Sequence, residues 1–163
     1  MYGIHNIRKG LSIMKSRYIS FFLLLVWMSL IFLLSTQNGE QTVAISSGIA
    51  DWIADNLYKE PTPLQINDMH MLLRKIAHII LFSGFGFLSF YSFLIVFTSR
   101  LGLVALGAST LTVIVAFFDE WHKAFIPGRH CHIEEALLNA VSGCIAIACC
   151  IFWHLFRKKR KKI

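Results

Sequence analysis

Four long apolar segments limit what this chain can fold into. They occupy residues 18–34, 76–97, 101–118 and 133–156. Each is about as long as the roughly 20 residues that a helix needs to cross the hydrocarbon core of a bilayer. The sequence therefore predicts an all-α fold, a four-helix transmembrane bundle.

Composition agrees with a membrane protein that forms one domain. The 163 residues are 56% hydrophobic and only 15% charged, with a mean hydropathy of +0.61, which is too apolar for a soluble domain of this length. We predict three regions: a basic amino terminus over residues 1–17, a four-span membrane domain over 18–156, and a basic tail over 157–163. Because Gly3 and Gly10 interrupt the first region, we expect it to be irregular.

Residues 43–58 form a segment of a different kind. Ile45, Ile49, Ile53 and Leu57 recur every four residues, opposite polar residues such as Asp51. This spacing predicts an amphipathic helix that is too short and too charged to span the bilayer, so it lies in the interface or caps the bundle. A partner-binding helix is the alternative. The Pro-Thr-Pro at 61–63 ends this helix, and Asn-Asp at 67–68 is a candidate N-cap for the next one.

The distribution of Lys and Arg predicts the orientation in the membrane. Residues 1–17 hold four of them and residues 157–162 hold six, whereas residues 35–73 combine five acidic residues with Lys59. The positive-inside rule then predicts a multi-pass membrane protein with both termini in the cytoplasm. In a bacterium this membrane is the plasma membrane. The amphipathic helix is therefore extracytoplasmic.

The basic residues at both ends of the chain also indicate which partners to expect. Their position beside apolar segments predicts contact with anionic membrane lipids. We expect no nucleic-acid partner, because no aromatic and basic recognition module accompanies the charge. The apolar surface of a four-helix unit permits a homo-oligomer without requiring one.

Polar residues cluster at the predicted outer ends of all four spans. Ionisable groups at membrane depth are costly and are functional candidates by default. We expect two groups of site residues. The candidates for acid-base chemistry are His78, Asp119, Glu120, His122 and Glu135. The candidates for ligand binding are Gln37, Lys75, Lys123, Arg129 and Asn139.

Helical spacing favours a shared site. Asp119 and His122 are three residues apart, as are Lys75 and His78, so each pair lies on one helix face. The alternative is that these residues only mark where helices leave the bilayer. His78 and Asn139 fit that alternative less well, since both lie within apolar sequence, although a structural hydrogen bond between them would also satisfy them.

The segment Asp-Glu-Trp-His-Lys-Ala-Phe-Ile-Pro-Gly-Arg at 119–129 resembles a motif of the VanZ-like family of small bacterial membrane proteins. The resemblance extends to Lys75 and His78, to the Ser-x-Gln at 35–37, and to Asn139 and Gly143. It covers most of the chain from residue 33 to residue 143. It implies four spans and, for the namesake of the family, a link to teicoplanin-type glycopeptide resistance.

The chain departs from the usual family pattern at a few positions. Lys123 stands where the family usually has Gln, and Glu135 stands where Asp is usual. Leu81 and Phe82 stand where Glu-Tyr often follows the His of the second span. The resemblance therefore implies a divergent member with altered chemistry at these positions.

Three functions remain open from the sequence. In the first, an outward polar pocket engages an envelope lipid or a glycopeptide-related ligand, with Lys123 and Arg129 suited to phosphate. In the second, the protein is an intramembrane enzyme that acts on a lipid or cell-wall precursor, with a His as general base beside a carboxylate. In the third, the cluster serves helix association alone. In a weaker form of the second function these groups hold a divalent metal, but no HExxH motif occurs, and His130 and His132 lie in a loop, so we predict no metal site. We also expect no cofactor.

Overall fold

The computed structural model describes residues 2–36, 48–49, 51–58, 62–97, 100–126 and 131–160, with side chains of the first helix described from residue 14 onward. The helices are α1 (Tyr2–Ser35), α2 (51–57), α3 (Pro63–Val96), α4 (Leu101–Lys123) and α5 (Ile133–Arg160). No strand occurs among these residues. Four helices are long and apolar enough to cross a membrane: Met14–Ser35 of α1, and α3, α4 and α5. The predicted all-helical four-span bundle is confirmed.

The amino-terminal region differs from its prediction. The expected irregular stretch over 1–17 is helical from Tyr2 onward, continuous with the first span. A glycine in a helix costs only about 1 kcal/mol relative to alanine. Gly3 and Gly10 are therefore too weak to stop a helix that the following apolar segment already holds in place.

The start of α3 was also predicted wrongly, at residues 67–68 instead of 62. Thr62 is the N-cap: its side chain accepts a hydrogen bond from the Gln65 backbone, and the Gln65 side chain accepts one from the backbone N–H of Thr62. Pro63 occupies the first helical position, where its missing N–H carries no penalty. The Pro-Thr-Pro segment therefore begins a helix as well as separating it from α2.

The last two spans are longer than their apolar runs. Helix α4 continues through the charged motif to Lys123, and α5 continues into the basic tail as far as Arg160.

The described part of the amphipathic segment, at 48–49 and 51–57, is helical as expected, and its apolar residues Ile49, Trp52 and Leu57 are exposed. Tyr58 follows the helix, and residues 43–47 and 50 of the predicted segment lie outside the described ranges.

Helix α3 packs most extensively against α5. Gly86 and Gly143 make this approach possible, because a Cβ on Gly86 would collide with the backbone carbonyl of Gly143, and a Cβ on Gly143 would collide with the side chain of Thr112 in α4. Small residues at such crossings let helix backbones come together in a membrane. Helix α1 is fastened to the same unit by a 2.8 Å hydrogen bond from Trp27 Nε1 to the carbonyl oxygen of Leu81.

Contacts between helices bring one end of each span to the same place. At this end, which we call the polar end, α1 and α4 finish and α3 and α5 begin. Arg74 of α3 contacts Glu135 of α5, Lys123 of α4 contacts Glu135, and Phe32 of α1 packs on His122 of α4. The bundle therefore assembles its candidate site from all four long helices.

Candidate functional site

Lys123 lies at the centre of the polar end and is completely buried. Its Nζ donates a hydrogen bond to Glu120 Oε1, and it lies 3.4 Å from Asp119 Oδ2 and 3.5 Å from Glu135 Oε2. Asp119 and Glu120 are also fully buried, at 0% and 1% exposure. Because a buried charge without a partner is very costly, the three carboxylates and the ammonium require one another.

Glu135 links this buried group to α3. Its Oε2 accepts a 2.9 Å hydrogen bond from Arg74 Nη2 while also facing Lys123. The carboxylate is partly exposed, with 23% of the side chain accessible, and the Arg74 side chain is 32% accessible. The ion network therefore runs from a buried interior at Lys123 to an accessible edge at Arg74.

Glu120 has a second role at the start of α5. Its Oε2 accepts a 3.3 Å hydrogen bond from the backbone N–H of His132, the residue just before the helix. The first N–H groups of a helix have no partner within the helix, and a carboxylate near them is favourable. Glu120 therefore joins the end of α4 to the beginning of α5.

Several buried polar atoms in this region lack a hydrogen bond within the described part of the chain. They are both oxygens of Asp119, the oxygen and nitrogen of the Asn139 side-chain amide, Ser35 Oγ and His122 Nδ1. Lys123 balances the charge of Asp119 by proximity, and Ser35 lies beside the same carboxyl group. An unsatisfied buried polar group costs about 1–3 kcal/mol. Native proteins keep few such groups, so a water or a ligand is expected to pair with them.

The two candidate histidines lie in different surroundings. His122 is half-buried near Asp119 and packs edge-on against Phe32, with ring centroids 6.1 Å apart. His78 stacks on the buried ring of Phe82 at 6.4 Å and lies near Glu135. The imidazoles therefore flank the ion network from α4 and α3 respectively.

A small crevice separates α3 from α5 at the accessible edge of the network. Its volume is about 10 Å³, at the lower limit of what a single water requires. The residues that line it are Arg74, Lys75, His78, Glu135, Leu138 and Asn139. Lys75 is exposed at this crevice, whereas Asn139 is completely buried.

Eight of the ten predicted site residues lie within the described chain, and all eight lie at the polar end. Asp119, Glu120, Lys123 and Glu135 form the ion network, Lys75, His78 and Asn139 share the crevice with Glu135, and His122 flanks the network. Gln37 and Arg129 lie outside the described residues. Their predicted ligand-binding roles therefore have no structural description.

Sequence reasoning missed two features of the site. Arg74 was not a candidate, although it directly precedes Lys75 and makes the 2.9 Å contact with Glu135. Lys123 was predicted to bind a ligand, but its ammonium already faces three carboxylates. The sequence could have predicted these ion pairs. Asp119 and Glu120 precede Lys123 by four and three residues, and side chains at these separations meet on one face of a helix.

The described residues contain no group of three His, Cys, Asp or Glu side chains placed to hold a metal ion. The arrangement instead offers buried hydrogen-bonding groups beside two accessible cations. Such a constellation is suited to recognising a polar or anionic group.

The searches of curated proteins and of solved structures each gave no match. The model of the VanZ/LLP1 family matches residues 20–156. This match covers all four spans and the polar end, and the chain therefore belongs to the VanZ/LLP1 family.

Proposed function

We propose that the polar end faces the outside of the plasma membrane and engages an envelope lipid or a glycopeptide-related ligand, lowering susceptibility to teicoplanin-type antibiotics. The observation that supports this proposal is the fully buried side chain of Asn139, whose amide nitrogen and oxygen lack hydrogen bonds in the described chain. The buried carboxylate of Asp119, by contrast, is paired with Lys123 at 3.4 Å. Bundles that only hold helices together gain stability from satisfied polar groups. Unsatisfied ones suit a site that an outside molecule completes.

Ligand binding has better support than catalysis. A general base needs a hydrogen bond to an orienting group and reach to the substrate. His122 makes no hydrogen bond to a carboxylate within the described part of the chain, and its ring instead contacts Phe32. An enzyme acting on a lipid or wall precursor remains the alternative, and it would require His78 or His122 as the base.

The test is teicoplanin susceptibility in bacterial cells that express the intact protein, an Asp119→Ala/His122→Ala variant, or no protein. Membrane levels are matched by blot. The control variant is Glu134→Gln, which removes an exposed carboxylate at the same end of the bundle. We expect protection from the intact protein and from Glu134→Gln, and none from the double variant.

Two results would count against the proposal. Equal susceptibility in all four strains would remove the resistance role. Full protection by the double variant would show that the buried cluster takes no part in it. A loss of turnover without loss of ligand affinity in the double variant would favour the enzyme.

A further inference from the structure

Two cationic residues, Arg74 and Lys75, line the crevice between α3 and α5, and both side chains are accessible to solvent. Lys75 is exposed, and its ammonium makes no ion pair or hydrogen bond within the described chain. Arg74 uses only Nη2, toward Glu135, which leaves its other N–H groups without partners among the described residues. Lys123 is not available in this way, since it is fully buried among carboxylates.

Asn139 is a second, independent indication that the crevice binds a ligand. It lines the crevice, it is completely buried, and neither its amide nitrogen nor its amide oxygen has a hydrogen-bond partner in the described chain. An amide nitrogen offers two N–H donors. A buried donor beside an arginine and a lysine is the combination that an oxyanion satisfies.

Charge at the crevice favours an anion despite the presence of Glu135. That carboxylate already faces Arg74 at 2.9 Å and Lys123 at 3.5 Å. His78 is the remaining polar group on the lining, and the one apolar lining residue is Leu138. Glu135 is paired with Arg74, whereas Lys75 is exposed and has no ion pair in the described chain, so Lys75 is the lining cation that is available to an anion.

The volume of the crevice limits which part of an anionic ligand can enter it. A volume of about 10 Å³ admits roughly one water-sized group, so a whole headgroup does not fit inside. A single oxygen of a larger anion does fit, with the rest of the anion outside against Lys75. Tetrahedral phosphate oxygens suit a planar guanidinium and a lysine ammonium at once.

We infer that this crevice binds one phosphate group, held by Lys75, Arg74 and the amide nitrogen of Asn139. The inference rests on the proposed function, because it names the chemistry of the ligand at the same end of the bundle. In this inference the phosphate is bound by the cations of α3, whereas the sequence had suggested Lys123. The phosphate comes either from a lipid headgroup in the membrane or from a soluble molecule, and the experiment distinguishes the two.

The experiment measures affinity with the full chain purified in a phosphate-free maltoside detergent. The probes are a short-chain phosphatidic acid, the diacylglycerol with the same chains, a fatty acid carrying a carboxylate, and inorganic phosphate. The variants are Lys75→Gln and Asn139→Leu. The control is Arg100→Gln, which removes an exposed cation at the start of α4, the opposite end of the bundle.

We expect phosphatidic acid to bind more tightly than the diacylglycerol or the fatty acid. Lys75→Gln should weaken its binding about tenfold or more, the usual effect of losing a charge-assisted hydrogen bond. Asn139→Leu should weaken it as well while leaving the protein at least as resistant to heat, since the change removes unsatisfied buried atoms. Arg100→Gln should bind like the intact protein.

The measurement with inorganic phosphate tells whether the bound phosphate group belongs to a lipid or to a soluble molecule. Binding of phosphate alone with the same dependence on Lys75 indicates a soluble ligand, and binding of phosphatidic acid only indicates a lipid. The inference is overturned if Lys75→Gln binds phosphatidic acid as the intact protein does, if Arg100→Gln weakens binding equally, or if the carboxylate lipid binds as well.

Failure here and failure of the proposed function can be told apart. Protection from teicoplanin with unchanged phosphatidic acid binding by Lys75→Gln removes only the phosphate site. Phosphate binding that depends on Lys75, without any teicoplanin protection by the intact protein, removes only the resistance role.

Discussion

Lys123 and Glu135 are linked across two helices, since Lys123 Nζ lies 3.5 Å from Glu135 Oε2. The same oxygen of Glu135 contacts Arg74 Nη2 at 2.9 Å. Glu135 therefore joins the buried lysine of α4 to the accessible arginine of α3.

We expect Lys123→Met to destabilise the protein strongly. Removing one partner of a buried ion network typically costs about 3–5 kcal/mol, because the remaining charges stay buried without compensation. Here the carboxylates of Asp119 and Glu120 would be left inside the bundle. The measurement is the thermal unfolding midpoint in detergent.

Lys75→Met is the matched control, since it removes a lysine that is exposed and unpaired in the described chain. It should leave the midpoint within the small range that surface substitutions normally produce. A midpoint for Lys123→Met equal to that of Lys75→Met would contradict the buried network.

Sequence reasoning at the residue scale predicted most of the polar residues that meet at the polar end, but not which of them pair with one another. Apolar surroundings mark Asn139 and His78 as unusual, and a helical pitch groups the acids of the motif. The partners of each acid depend on how α3, α4 and α5 are placed against one another. For that reason Arg74, which looks like an ordinary interfacial cation in the sequence, was missed.

At the scale of helices, apolar runs predict which segments span but not where the helices end. Helix α4 continues to Lys123 because its charged residues satisfy one another inside the bundle. Helix α3 begins at the Thr62 capping box, well before its apolar run. End points therefore depend on caps and on tertiary ion pairs, which hydropathy does not report.

The crossing of α3 and α5 leads to a prediction about glycines. Gly86→Ala and Gly143→Ala each place a methyl group where the backbone of the other helix or a packed side chain already lies. Overpacking of this kind typically costs about 1–3 kcal/mol. We expect both variants to unfold at lower temperature than the intact protein and to lose phosphatidic acid affinity as the crevice changes shape.

Gly102→Ala provides the comparison within the same chain. A Cβ at Gly102 meets nothing within 4 Å, so alanine should be neutral or slightly stabilising through its higher helix propensity. If all three alanine variants unfold alike, close approach at Gly86 and Gly143 is not what holds the helices together.

At the scale of the whole molecule, aromatic rings mark both ends of the bundle. Trp121 contacts both Phe118 and Phe125 at the polar end, and Trp153 and Phe156 lie beside Arg157 and Arg160 at the other. Tryptophan is enriched at the two membrane-water interfaces. The rings therefore set the expected depth of the polar end at one interface, which is where a headgroup or an aqueous ligand would meet it.

Cys131 offers a direct test of which side the polar end faces. It is exposed just before α5, whereas Cys144, Cys149 and Cys150 lie within that span. We expect a membrane-impermeant maleimide to label the protein in intact cells and Cys131→Ser to abolish the labelling. Labelling that requires permeabilised cells would place the polar end in the cytoplasm and reverse the predicted topology.

The position of the ion pairs along the chain also bears on how the protein is made. Charged residues in an inserting helix are costly, up to about 2.5–3.5 kcal/mol at its centre. In α4, Lys123 is paired with Asp119 and Glu120 of the same helix, so part of the charge of this segment is compensated before α5 has been synthesised. The contact between Arg74 and Glu135, by contrast, joins α3 to α5 and forms only after α5 has been synthesised. We therefore expect an order of assembly, in which the ion pairs within α4 form first and the accessible edge of the site closes when α5 meets α3.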